Sequence, residues 1–146
     1  MHSILDCAKW FVEKSGSPIE QSKLQSLCYY SQAWSFAMLG TEPIFSDCFR
    51  AFANGPQNQT LSKFCKRKQV VDAKDFEQIK NTYFLAEEVE LLELVWDIYG
   101  GIADERLSCL IKCDQPWKET RMEKLSEDEK PMVIPLAKMI KYYEQC

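Results

Sequence analysis

The sequence predicts an all-α fold: one compact multi-helix domain over residues 1–146, with a minor extended segment near 43–53. Three observations lead there. Apolar residues recur at three- and four-residue spacing in successive segments, the period of a helix with one buried face. Capping residues and glycines bracket those segments. One segment, residues 22–39, is apolar around nearly its whole circumference, which marks a central helix with neighbours on several sides. A chain of 146 residues can build one core and is short for two. On this pattern at least about two thirds of the chain should be helical.

The first helix spans 3–15. Ser3 and Asp6 form a capping box, and Ile4, Leu5, Ala8, Phe11 and Val12 share one face before Gly16 stops it. Ser17-Pro18 reads as a second start, with Ser at the cap and Pro at the first helical position. A start one turn later, at Glu20 or Ser22, fits equally. The helix then runs to Leu39 and Gly40. One stripe on it is Leu24, Leu27, Cys28, Ser31 and Trp34; another is Tyr30, Ala33, Trp34 and Ala37. Both place Trp34 in the core.

Glu42-Pro43 breaks the helical pattern. Ile44 to Ala53 is rich in aromatics without a helical period, so an extended stretch should precede a turn at Asn54-Gly55-Pro56. A short helix follows over 59–67 with Leu61, Phe64 and Cys65 inward. One helix is expected from Ala73 to Thr82. From Leu85, Val89, Leu92, Val95, Trp96 and Tyr99 keep helical spacing up to Gly100-Gly101. The next helix covers 103–112 with Leu107, Leu110 and Ile111 inward, and Pro116 starts a short one through Arg121. A charged link from Glu123 to Lys130 leads to a last helix. That helix begins near Met132, carries Pro135 in its first turn, and packs Val133, Leu136, Ala137 and Ile140.

Composition narrows the function. No apolar run is long enough to span a membrane. Met1 to Asp6 has no basic region leading into an apolar stretch, so a secretory signal is not expected and the chain should be cytoplasmic. A net charge of −4 disfavours direct nucleic-acid binding, which neutralises phosphates with Lys and Arg. The seven cysteines are singly spaced and several fall on apolar helical positions, so reduced thiols are expected.

No catalytic set emerges. The one histidine, His2, sits at a terminus expected to fray, whereas a Ser-His or Cys-His hydrolase needs a histidine held by the fold. The five glycines form no phosphate loop. Glu87, Glu88, Glu90 and Glu93 interleave with apolar positions and read as the solvated side of their helix. Cys109 and Cys113 share a helix face, but a structural zinc needs four ligands. No metal or other cofactor is expected, and no enzyme activity.

Two features suit binding. Lys63, Lys66, Arg67 and Lys68 form the one basic cluster. It reads first as a solvated helix end, where cations are favoured, and second as a docking patch for an acidic partner or a phosphate backbone. Trp117 starts a short polar helix beside Lys118, Glu119 and Arg121. It reads first as a lid on the core and second as an anchor for a partner.

Three segments in order carry a family resemblance: Leu24 to Trp34 (LQSLCYYSQAW), Ala51 to Pro56 (AFANGP), and Leu107 to Leu110 (LSCL) running into Pro116-Trp117-Lys118-Glu119-Thr120-Arg121. Together they resemble the Panacea domain of SocA-like antitoxins. That family reads roughly LQKLLYYAQGW, an aromatic-rich segment ending GPV, a helix ending YG, then LSxLTH and PWKxAR. The resemblance covers about Ile4 to Tyr143.

It implies an all-α domain that neutralises toxins by direct protein contact, without an agreed enzymatic activity, and that occurs also on phages and other mobile elements. Departures fall on polar positions: Ser26 replaces the usual Lys, Gln57 the usual Val, and Ile111-Lys112 the usual Thr-His. The apolar positions persist, so the fold should persist while the polar site has changed. The expected partner is a protein, either a toxin or, for an inhibitor of anti-CRISPR type, a host defence nuclease. The expected binding face is Asn54, Gly55, Pro56, Gln57, Trp117, Lys118 and Arg121, the two best-marked loop and helix-start positions.

Overall fold

In a computed structural model, residues 2–40, 42–123 and 130–146 are described. Among the described residues, seven α-helices and two small two-stranded sheets make up the architecture, and 59% are helical, short of the two thirds expected. Residues 124–129 of the charged link lie outside the described set.

Helix α1 (Ile4–Ser15) starts as its sequence dictates. Ser3 Oγ accepts from Leu5 N at 3.0 Å, and Ser3 N donates to Asp6 Oδ2 at 2.9 Å. Strand β1 (Ile19–Glu20) follows, then α2 (Gln21–Leu39). The later of the two start points is the one used. Ile19 and Glu20 are extended because they pair antiparallel with β4 (Val70–Val71), and Gln21 N donates to Gln69 O at 2.7 Å.

Helix α2 is central. Leu24 to Ala33 are buried without interruption, and the helix touches α1, β1, α4 (Ala86–Tyr99), α5 (Asp104–Cys113) and α7 (Leu136–Tyr143). Its two buried amides were not expected. Gln32 Nε2 donates to Phe45 O at 2.7 Å, and Gln25 is taken up below. Trp34 is half-buried rather than fully buried, and Ala37 is exposed. The helix emerges from the core at this end, where the Trp34 indole N–H meets the Tyr99 hydroxyl at 3.0 Å.

An aromatic cluster fills the space beside α2. Tyr29 lies against Tyr30, Phe49 and Tyr143, and Tyr30 stacks on Tyr99 with centroids 3.8 Å apart. The Tyr143 hydroxyl donates to Asp114 Oδ2 at 2.7 Å. Burial raises the Tyr143 phenol, and the neighbouring Tyr29 and Asp114 reinforce the shift.

Four expectations are corrected. Residues 73–82 do not form one helix: only a 3-10 turn, Ala73–Phe76, is present, with Asp72 as its cap. Phe76 is the segment's one buried residue and Ile79 only partly packs on the core, so the segment has too little buried apolar face to hold a longer helix. Leu110 is 41% exposed, because α5 buries the i, i+4 pair Leu107 and Ile111.

The last helix begins at Leu136 rather than near Met132. Met132–Ile134 run extended beside β2 (Arg50–Phe52): Ala51 N donates to Met132 O at 2.9 Å and Ile134 N to Phe49 O at 2.8 Å. Pro135 explains the shift, since a proline pushes its predecessor to extended backbone. The buried residues are consequently Ile134, Met139 and Tyr143, while Val133, Leu136 and Ala137 are exposed and Ile140 is half-buried. Finally, His2 is not frayed. Its backbone N–H donates to Ile44 O at 3.1 Å, its ring lies 3.0 Å from Glu88 Oε1, and Phe84 covers it.

Candidate functional site

Strand β2 turns through Ala53-Asn54 into β3 (Gly55–Gln57), with Ala51 opposite Pro56 and Phe52 opposite Gly55. Gly55 has φ +136°, a backbone that side chains rarely adopt, and a Cβ there would sit 3.0 Å from Ser108 Oγ. The turn and the close approach of α5 both call for glycine.

Side chains from three helices hold this hairpin by its backbone. Gln25 on α2 clamps Asn58: its Oε1 accepts from Asn58 N at 2.8 Å and its Nε2 donates to Asn58 O at 3.2 Å. Asn58 in turn caps α3 (Gln59–Phe64) through Leu61 N at 2.8 Å and donates to Cys48 O at 2.8 Å. Ser108 on α5 donates to Asn54 O at 2.6 Å. On α6 (Gln115–Met122) the Trp117 indole N–H donates to Phe52 O at 3.0 Å and Arg121 donates to Ala51 O at 3.1 Å. Each such bond contributes about 1 kcal/mol, and leaving a buried partner unsatisfied costs more, roughly 1–3 kcal/mol.

Residues far apart in sequence thus meet at one place. Asn54 is exposed at the tip, Gln57 is half-buried beside it, and its amide donates to Asn54 Oδ1 at 3.2 Å. Gly55 and Pro56 are buried and shape the turn. The Trp117 ring packs on the core, flanked by Lys112 and Arg121 at 6.0 and 5.9 Å. Lys118 is exposed on the same helix. Gln25, Asn58 and Ser108 were missed as site residues. A signal existed for Gln25, a polar residue on a helix apolar nearly all round.

Two recesses flank Asn54. A groove of about 960 Å³ runs between the hairpin and the end of α3, and a recess of about 400 Å³ lies between Asn54 and α5. Lys63, Arg67 and Lys68 of the basic cluster border the larger one. Lys63, Lys66, Arg67 and Lys68 are all exposed, and Lys66 and Arg67 hold left-handed backbone at φ 52° and 56°. Such backbone costs non-glycine residues about 1 kcal/mol or more each. Lys68 pairs with Asp75. In the wall of both recesses, Asp104 accepts from the Ser22 hydroxyl through one carboxylate oxygen, while the other is buried without a partner.

Among the described residues no group of three or more His, Cys, Asp or Glu could hold a metal, and no helix is long and apolar enough to cross a membrane. All seven cysteines are free thiols: Cys7, Cys28 and Cys65 are buried, and Cys48, Cys109, Cys113 and Cys146 are exposed. A family model described as the antitoxin SocA-like Panacea domain matches residues 24–118. The match begins at the Leu24-Gln25 pair and reaches Lys118, so it holds Gln25, the whole hairpin, Ser108 and Trp117. No curated protein and no solved structure matches the chain.

Proposed function

This chain belongs to the SocA-like Panacea family, and on that premise we propose that it is a non-catalytic cytoplasmic inhibitor. It neutralises a partner toxin by stoichiometric contact. One observation carries the reading: the residues that mark the family converge on the β2–β3 hairpin and α6 rather than on a cluster of reactive groups. In this reading Asn54, Gln57 and Lys118 touch the partner. Gly55, Pro56, Trp117 and Arg121 fix the shape of the face they sit on. The chain's net charge of −4 favours encounter with a basic partner such as a toxin.

The test has two stages. The chain is captured with its bound protein from the native host, and the partner's activity is then titrated with purified chain. Inhibition should be complete near one chain per partner. Inactivation at far lower ratios would mean turnover and end the binding mechanism. The double variant Asn54→Arg with Lys118→Glu changes two exposed residues, so it should melt like the parent and inhibit poorly. Full inhibition by that variant places the contact elsewhere. A partner that proves to be a host defence nuclease would select the phage or mobile-element alternative on the same face.

A further inference from the structure

We propose that the groove between the β2–β3 hairpin and the end of α3 receives an acidic peptide segment of the protein partner. The inference rests on the protein-binding reading above and names what this neighbouring groove recognises. Among the described residues its walls carry Lys63, Arg67 and Lys130, with Lys68 already paired to Asp75, against two carboxylates, Glu20 and Asp104. That is a local excess of positive charge on a chain whose net charge is −4. Lys63, Lys66 and Arg67 form no salt bridge among the described residues, so their charge does not tie the fold together. The left-handed backbone at Arg67 points the same way, because glycine would relieve it and a cation stands there instead.

The groove's other polar groups favour peptide over nucleic acid. Gln59 and Gln69 line it, each offering a donor and an acceptor, and Gln57 adds its amide oxygen. An extended peptide backbone uses both; a phosphate backbone uses donors alone. A long polyanion would also meet the chain's overall negative charge beyond the groove, whereas a short acidic segment ends within it. The width supports this: about 960 Å³ takes a few residues of extended chain.

The experiment uses the full chain and a fluorescein-labelled oligoglutamate peptide, with a DNA single strand and a duplex of matched charge as competitors. The peptide should bind, weaken steeply with salt, and lose about tenfold or more in affinity to Lys63→Glu with Arg67→Glu. Lys80→Glu, outside the groove, should bind as the parent does. Arg67→Gly removes the charge while easing the backbone. It should melt no lower than the parent yet bind the peptide several-fold less tightly, which separates lost recognition from lost folding. Unchanged peptide binding in the double variant overturns the proposal, as does no peptide binding by the parent or tighter binding of either DNA. If the double variant still inhibits its partner one to one, the groove is excluded and the binding reading stands. If the parent holds the peptide but inhibits no captured protein, the reading fails and the groove does not.

Discussion

Helices α1 and α4 meet α2 through apolar side chains. Phe11, Val12, Leu91, Leu92 and Val95 are each at most 2% exposed. The β2–β3 hairpin meets α5 and α6 through Ser108, Trp117 and Arg121, each bonded to its backbone, and α2 through Gln25, bonded to the backbone of Asn58 directly after it. The first kind of contact is non-directional and scales with buried area. The second is directional and leaves an orphaned carbonyl or N–H when one partner goes. A face meant to present side chains to a partner benefits from the second kind, since it sets position as well as stability. The polar residues that mark the chain therefore cluster at the hairpin, while the buried part of the α1–α4 side is apolar and its polar contacts, Trp34–Tyr99 and Lys14–Glu93, lie at its rim.

The largest effect should come from the apolar side. Leu92→Ala removes a fully buried side chain and should cost roughly 2–5 kcal/mol by denaturant unfolding, with partner binding retained under folding conditions. A cost within error would mean that α4 is not seated as described. On the polar side, Trp117→Ala loses ring contact and the bond to Phe52 together, for roughly 2–4 kcal/mol. Trp117→Phe keeps most of the ring and should cost about 1 kcal/mol. No measurable cost for Trp117→Phe would assign Trp117 wholly to apolar contact and blur the contrast.

Gln25→Ala should cost about 1–3 kcal/mol and loosen the hairpin ahead of global unfolding. Hydrogen exchange reads this directly, as faster exchange at Asn58 and Leu61 with α4 amides unchanged. Uniform acceleration across both regions would dissolve the distinction.

A smaller effect concerns the thiols. The Cys65 thiol is pushed up to about 11 by burial, helped by Asp75 and opposed by Lys68. An unfolded thiol titrates near about 8.5, so between that value and about 11 the unfolded chain binds fewer protons than the folded one. Stability from this group is complete below about pH 8.5 and is lost as pH rises toward 11. Alkylation under native conditions should reach Cys48, Cys109, Cys113 and Cys146 quickly and Cys7, Cys28 and Cys65 slowly. Fast labelling of Cys28 would show that the apolar side opens more readily than its burial implies.

The helices were legible from sequence because their signals are local. Ser3 with Asp6, Gly16, the continuous apolar circumference of α2, and the run from Leu85 to Gly100 each declare themselves within a few turns. The α1 cap, the central place and the end of α2, and the stop of α4 follow from them. Errors gathered where local pattern and long-range pairing compete. Ser17-Pro18 looks like a helix start, yet Ile19-Glu20 answer to Val70-Val71 some fifty residues away. Met132 looks helical, yet Met132 and Ile134 answer to Ala51 and Phe49.

The site divides the same way. Asn54-Gly55-Pro56 announces a turn by composition, and Pro116-Trp117 announces a helix start. That the Trp117 indole, the Arg121 guanidinium and the Ser108 hydroxyl end on that one hairpin, and the Gln25 amide on Asn58 just after it, is a matter of three helices arriving together. Hydrogen bonds between such distant groups leave no period and no spacing in the chain. What the amino-acid order determined by itself was most of the helices, though not the helix expected over 73–82, and the fact of a turn; which backbone atoms the polar side chains serve was decided by tertiary structure, because only the folded chain brings donor and acceptor within reach.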